Sequence, residues 1–125
     1  MILVDTSVWV DHLRRGNPQM VRLLELNMVF LHPWVIGELA CGNLKNRADL
    51  LEHLSNLMQV TQASDSEVME FIERNRLYGR GVGWIDLHLL ASALIANCPF
   101  WTLDRRLSEV ASDLDVSFTP AAASA

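Results

Sequence analysis

The sequence predicts an α/β sandwich around a mainly parallel sheet. Three observations predict it. Short apolar runs of strand length alternate with longer segments of helical period. Two of those runs end on a carboxylate, Asp5 after Ile2–Val4 and Asp104 after Phe100-Trp101-Thr102-Leu103. Half of the 125 residues are hydrophobic, enough to fill one core and to make one domain.

The elements follow in order. Ile2–Val4 reads as a short buried strand. Ser7 to Arg15 reads as a helix, because Val8, Trp9, His12 and Leu13 recur at helical spacing and Gly16-Asn17-Pro18 stops it. Gln19 to Leu26 has Met20, Leu23 and Leu24 on one side and reads as a second helix. Met28 to Leu31 is a second strand. Pro33 suits the first position of a helix over Trp34 to Cys41. Arg47 to Leu57 repeats the helical period through Leu50, Leu51, Leu54 and Leu57, and Met58 to Thr61 has strand character. Ser64 and Glu67 form the pattern of a capping box, for a helix running to about Tyr78. Gly79-Arg80-Gly81-Val82-Gly83 is a loop by composition. A long apolar helix, Ile85 to Ala96, precedes a strand over Pro99 to Leu103. Arg105 to Leu114 is helical and Val116 to Phe118 is the last strand. The domain is expected over 1–118, with 119–125 a frayed tail.

Charge and composition exclude several classes. The formal net charge of −5 argues against holding nucleic acid by bulk electrostatics, but permits local basic patches and an acidic pocket that a cation neutralises. No apolar run approaches the ~18–20 residues of a membrane span, and the N-terminus lacks signal-peptide character; a cytoplasmic protein is expected. Cys41 and Cys98 are far apart and read as small buried thiols. The four histidines have no zinc-ligand spacing.

The acids stand out singly and as a set. Asp5, Asp86 and Asp104 each have a structural explanation at a helix start, where a carboxylate caps free N–H groups or complements the dipole. Glu38 has less excuse. It sits in PWVIGELACG on a helix expected to face inward, with no Lys or Arg at i±3 or i±4. In a parallel α/β sheet, positions after strand ends and at helix starts converge on one cleft. Carboxylates brought together repel unless some are protonated or a divalent cation joins them. Oxygen ligands without His or Cys point to Mg²⁺ or Mn²⁺. Metal-assisted attack of water on a phosphodiester is the chemistry such a site serves best.

Taken together, the segments MILVDTSVWVDHLR, LHPWVIGELACG, GRGVGWIDLHLLASALI and FWTLDRRL resemble the PIN domain and, within it, VapC-type toxins of prokaryotic toxin–antitoxin pairs. The resemblance spans Met1 to about Phe118. It implies a three-layer α/β/α fold with a parallel sheet. It implies a Mg²⁺- or Mn²⁺-dependent endoribonuclease, usually a homodimer, silenced by an antitoxin that fills its acidic groove. Asp5, Glu38, Asp86 and Asp104 correspond to its metal-holding, catalytic acids. Many relatives carry a further acid two positions after the fourth, where this chain has Arg106.

Around the acids, Thr6, Ser7 and Thr102 are candidates to support the ligands by hydrogen bonds. Arg80, Arg105 and Arg106 flank the acidic segments and are candidate RNA contacts. Trp84, beside Asp86, is the candidate for stacking on a base. Two rivals fare worse. A phosphoacceptor signalling domain needs adjacent acids after the first strand and a late Lys, but Val4 precedes Asp5 and no Lys follows Lys45. A haloacid-dehalogenase-type phosphatase needs D-x-D, and residue 7 is Ser. A catalytically silent PIN-like binding module is the remaining alternative.

Overall fold

β1 (Ile2–Val4) is fully buried and occupies the centre of the sheet. It is apolar throughout because it has neighbours on both edges and helices over both faces. In the computed structural model, which describes residues 1–120, β1 pairs in parallel with β2 (Val29–Phe30) and with β3 (Phe100–Trp101). Ile2 stands opposite Val29, and Val4 opposite Trp101. The expected tail lies outside the described residues from position 121 onward.

Two further strands expected from sequence shrink to single parallel bridges. Gln59 bridges Leu31 beyond β2, and Ser117 bridges Phe100 beyond β3. Each makes two backbone hydrogen bonds, Leu31 N to Met58 O and Val60 N to Leu31 O on one side, Phe100 N to Val116 O and Phe118 N to Phe100 O on the other. A short edge segment limits the row of unpaired backbone groups that would otherwise invite pairing with another chain. The spatial order is therefore 58–60, β2, β1, β3, 116–118. The order reverses between β1 and β3, which opens a crevice at the carboxyl ends of those two strands.

The helices are α1 (Thr6–Arg15), α2 (Pro18–Glu25), α3 (Pro33–Ala40), α4 (Arg47–Ser55), α5 (Asp65–Asn75), α6 (Trp84–Ile95) and α7 (Arg105–Asp113). Right-handed crossovers from a reversing strand order put α1 to α4 on one face and α5 to α7 on the other. The packing agrees: α3 touches α1 and α4, and α5 touches α6. α1 stops at Gly16, whose φ of +74° lets its N–H reach His12 O. Asn17 caps α2 by accepting from Gln19 N and Met20 N, and Pro18 and Pro33 open α2 and α3. The Ser64–Glu67 capping box is present. α5 ends three residues earlier than expected: Arg76 turns left-handed at φ 52°, and Leu77 N returns to Ile72 O, seating the Leu77 side chain in the core. α6 is buried continuously from Leu87 to Ala93. Cys98 is buried as expected, but Cys41 is exposed at the end of α3. Among the described residues, no helix is long and apolar enough to cross a membrane.

Candidate active site

Asp5 is placed by the sheet. Its N–H donates to Trp101 O at 2.9 Å, which pins the residue where β1 leaves the sheet and α1 begins. It occupies the N-cap position of α1 yet makes no side-chain cap. Its carboxylate turns to the crevice instead, where Oδ2 accepts from Ser7 Oγ and from Thr102 Oγ1, each at 2.7 Å. Those hydroxyls are tied in turn, since Leu103 N donates to Ser7 Oγ and Asp104 N donates to Thr102 Oγ1, both at 3.0 Å. One network thus joins the ends of β1 and β3. It orients a carboxylate that is only 5% exposed.

Glu38 comes from α3. The inward face of that helix is Val35 and Leu39, so Glu38 is exposed to the crevice rather than packed among apolar side chains. This corrects the inward-facing placement expected from sequence: eight residues of helix bury only part of their surface, and the position one turn-fraction from Leu39 faces solvent. Thr6 Oγ1 donates to Glu38 Oε1 at 2.8 Å, which links α3 to the start of α1.

Asp86 stands in the first turn of α6, where Gly83 N donates to its Oδ2 over a long 3.4 Å. Its carboxyl is pushed above the ordinary aspartate range, chiefly by burial. The Gly83 hydrogen bond opposes that rise, while the charges of Asp5, Asp104 and Glu38 add to it. Asp86 therefore feels all three of the other acids, so the four carboxylates share one region and one field. Asp104 is exposed and caps α7, Oδ1 accepting from Leu107 N at 2.9 Å. The helix-start explanation holds for Asp104 and fails for Asp5.

The donor set is of the kind that binds a hard divalent cation: carboxylate oxygens with mutual repulsion and no sulfur or imidazole among them. Among the described residues, Asp5 Oδ1 and Glu38 Oε2 accept no hydrogen bond, and no three such side chains stand close enough to enclose an ion by themselves. Water ligands suit that spacing, as Mg²⁺ commonly keeps several.

The flanking candidates separate. Arg80 pairs with Asp113 at 2.8 Å and Arg105 with Glu109 at 3.3 Å. Arg106 lies across Gly81. Trp84 is 39% exposed at the start of α6 and meets His88 edge-on, with ring centroids 4.7 Å apart. Sequence reading missed what lies beneath it. His88 is fully buried, stacks against Trp34 at 4.2 Å, and brings Nε2 to 3.0 Å from Asp65 Oδ1. This group ties α3, which carries Glu38, to α6, which carries Asp86. The i, i+4 spacing of Trp84 and His88 was the available signal.

Known proteins were compared with the chain. The family model for the PIN domain matches residues 2–113. Ribonuclease VapC32 of Mycobacterium tuberculosis, in strains CDC 1551 / Oshkosh and ATCC 25618 / H37Rv, is 43% identical over 118 residues, covering 94% of this chain and 95% of the relative. Among solved structures, FitAcB from Neisseria gonorrhoeae superposes with a TM-score of 0.67 at 24% identity, over 96% of this chain and 98% of the other. FitAB bound to an IR36 DNA fragment gives 0.66 at 22%, over 96% and 95%. At those identities the two structures speak for the fold.

Proposed function

Since the chain belongs to the PIN domain family and, within it, to the VapC-type ribonucleases, we propose that it is a divalent-metal-dependent endoribonuclease acting as the toxin of a toxin–antitoxin pair. The observation that carries the reading is Asp5: a buried carboxylate at a strand end, unused as a helix cap, held by two hydroxyls and, with Glu38 and Asp104, within electrostatic reach of Asp86.

Asp5, Glu38, Asp86 and Asp104 would hold Mg²⁺ or Mn²⁺, directly or through water. When bound, the cation lowers the pKa of water and polarises the phosphoryl oxygen. The chain's own residues do the rest. Ser7 and Thr102 fix the direction of the Asp5 carboxylate, and Thr6 fixes that of Glu38. Water attacks phosphorus in line, the bond from phosphorus to the 3′ oxygen breaks, and the proton given up by the attacking water is balanced, by way of solvent, by the proton that the departing 3′ oxygen takes up. Cleavage of total RNA with Mg²⁺ and with chelator tests the reading. Asp5→Asn should cut roughly 10²-fold more slowly or worse, the scale of removing one preorganised electrostatic group. A wild-type rate from pure Asp5→Asn protein would sink the assignment, and no cleavage by wild-type protein with or without Mg²⁺ would favour a silent binding module.

The same reading carries with it an antitoxin partner, a homodimer and a cytoplasmic setting. A groove of about 510 Å³ between α1 and the α3–α4 region is lined by the apolar Val10, Leu13, Leu39, Leu44 and Leu50 together with the charged Arg14, Glu38 and Lys45. An amphipathic antitoxin helix fits such a lining, and a basic side chain on it would reach the acids. Val21 and Leu26 on the neighbouring α2 segment are exposed and offer apolar area to a second copy. A lone monomer in a size measurement without partner would count against the dimer.

A further inference from the structure

Three arginines flank the acidic cluster, and two of them are already spent. Arg80 Nη2 meets Asp113 Oδ2, and Arg105 Nε meets Glu109 Oε1. Arg106 makes no hydrogen bond and no ion pair among the described residues. Its side chain is nonetheless placed. It crosses from the first turn of α7 to the loop before α6, lying against the bare backbone of Gly81. A Cβ at position 81 would stand 2.5 Å from Arg106 Nη1, 2.9 Å from Cδ and 3.2 Å from Cζ. Gly81 has a φ of +78°, so the loop needs glycine there both for its backbone and for the room it leaves.

The position matters. Arg106 is two residues from Asp104, and Gly81 is two residues from Gly83, whose N–H donates to Asp86. An unneutralised guanidinium therefore spans the two segments that deliver two of the four acids. RNA is a polyanion, and it must approach a chain of net charge −5 at its most acidic point. A local cation whose charge is not consumed by a carboxylate offsets that repulsion. Arginine presents a planar fork matched to phosphate oxygens.

Resting on the ribonuclease reading above, we infer that Arg106 anchors a substrate phosphate next to the acidic cluster, a role that Arg80 and Arg105 do not share. The test measures binding without cleavage. A fluorescent single-stranded RNA of mixed sequence is titrated with full-length Asp5→Asn protein across several salt concentrations, and with wild-type protein in chelator as a second parent. Arg106→Gln should weaken binding roughly three- to tenfold and reduce the slope of log K against log salt by about 0.7, the value for one phosphate contact on a single strand. Arg106→Lys should keep the slope while recovering only part of the affinity, because a point charge lacks the fork. Gly81→Ala, which crowds Nη1, should lower affinity with the charge unchanged. Arg80→Gln and Arg105→Gln should leave the slope at the parent value, and the melting temperature of Arg106→Gln should match its parent. The proposal is overturned if Arg106→Gln leaves affinity and slope unchanged, if Arg80→Gln or Arg105→Gln lowers the slope equally, or if neither parent binds RNA in a salt-dependent way. Failure of the ribonuclease reading shows separately, as intact wild-type protein that does not cut RNA with Mg²⁺.

Discussion

Asp5 has given one oxygen to two hydroxyls, and a carboxylate so held loses little freedom when it takes a ligand. Removing those hydroxyls should therefore act on metal affinity. In Ser7→Ala or Thr102→Val the Mg²⁺ concentration for half-maximal cleavage should rise roughly 10- to 100-fold, with the rate at saturating metal near wild type; a metal titration of the cleavage rate reads this directly. Asp86 carries the opposite strain. Its folded pKa is raised by burial and by three neighbouring acids, so the folded state holds its proton more tightly than the unfolded one. Ionised Asp86 thus costs stability above its folded pKa, and the cost is relieved as pH falls through that value. Asp86→Asn should raise the metal-free melting temperature at neutral pH, and added Mg²⁺ should stabilise wild type more than the variant. A calorimetric scan of both, with and without Mg²⁺, checks the sign. The signal for Asp5 was legible in sequence as a carboxylate closing the first apolar run. Thr102 was legible as a candidate support for a ligand because it stands two residues before Asp104, but its actual partner is Asp5, across 97 positions.

At the scale of elements, the termini carry the specific chemistry. The Ser64–Glu67 box opens α5 and needs nothing from the rest of the chain, which is why four letters reveal it. Ser64→Ala should cost about 1 kcal/mol and lower the melting temperature by roughly 2–6 °C. The start of α3 is less ordinary. His32 is fully buried, and its Nδ1 accepts from Trp34 N at 3.0 Å. Burial, and secondarily the nearby His88, hold its pKa down at about 4, from 6.5. Between those values the unfolded chain takes a proton that the folded chain refuses, so stability falls as pH drops from about 6.5 toward 4. His32→Asn keeps a capping acceptor and removes the titration, so its melting temperature should decline less steeply across that window. The early end of α5 shows why helix ends read poorly. No glycine or proline interrupts the sequence between Asn75 and Gly79, but the core claims the Leu77 side chain from a left-handed turn at Arg76, and tertiary packing decides the helix end.

For the whole molecule, the sheet is a narrow support for a wide crevice. Leu3 lies between β2 and β3, registered with Phe30 and Phe100 and completely buried. Leu3→Ala should cost about 2–5 kcal/mol, enough to lose most of the marginal stability of a domain this size; denaturant unfolding measures it. Because the core is assembled from apolar side chains away from the acids, chelation of divalent metal should abolish activity while leaving far-UV circular dichroism unchanged. The negative charge that crowds the crevice is then a local cost, carried by packing elsewhere.

What the sequence determined alone was everything written in local periodicity and adjacency: the alternation of strand and helix, the existence of all seven described helices, the Ser64–Glu67 capping box, and the four acids as an ordered set. Those features depend on neighbours within a turn or a strand length. The tertiary structure decided which edge segments remain single bridges, that Glu38 faces the crevice, that Asp5 leans on Thr102, and that Arg106 rests on Gly81 without an ion pair among the described residues while Arg80 meets Asp113. The physical reason is separation along the chain. A hydrogen bond or close approach between residues tens of positions apart leaves no period in the sequence, and it comes into being only when the strand order reverses and brings those ends together.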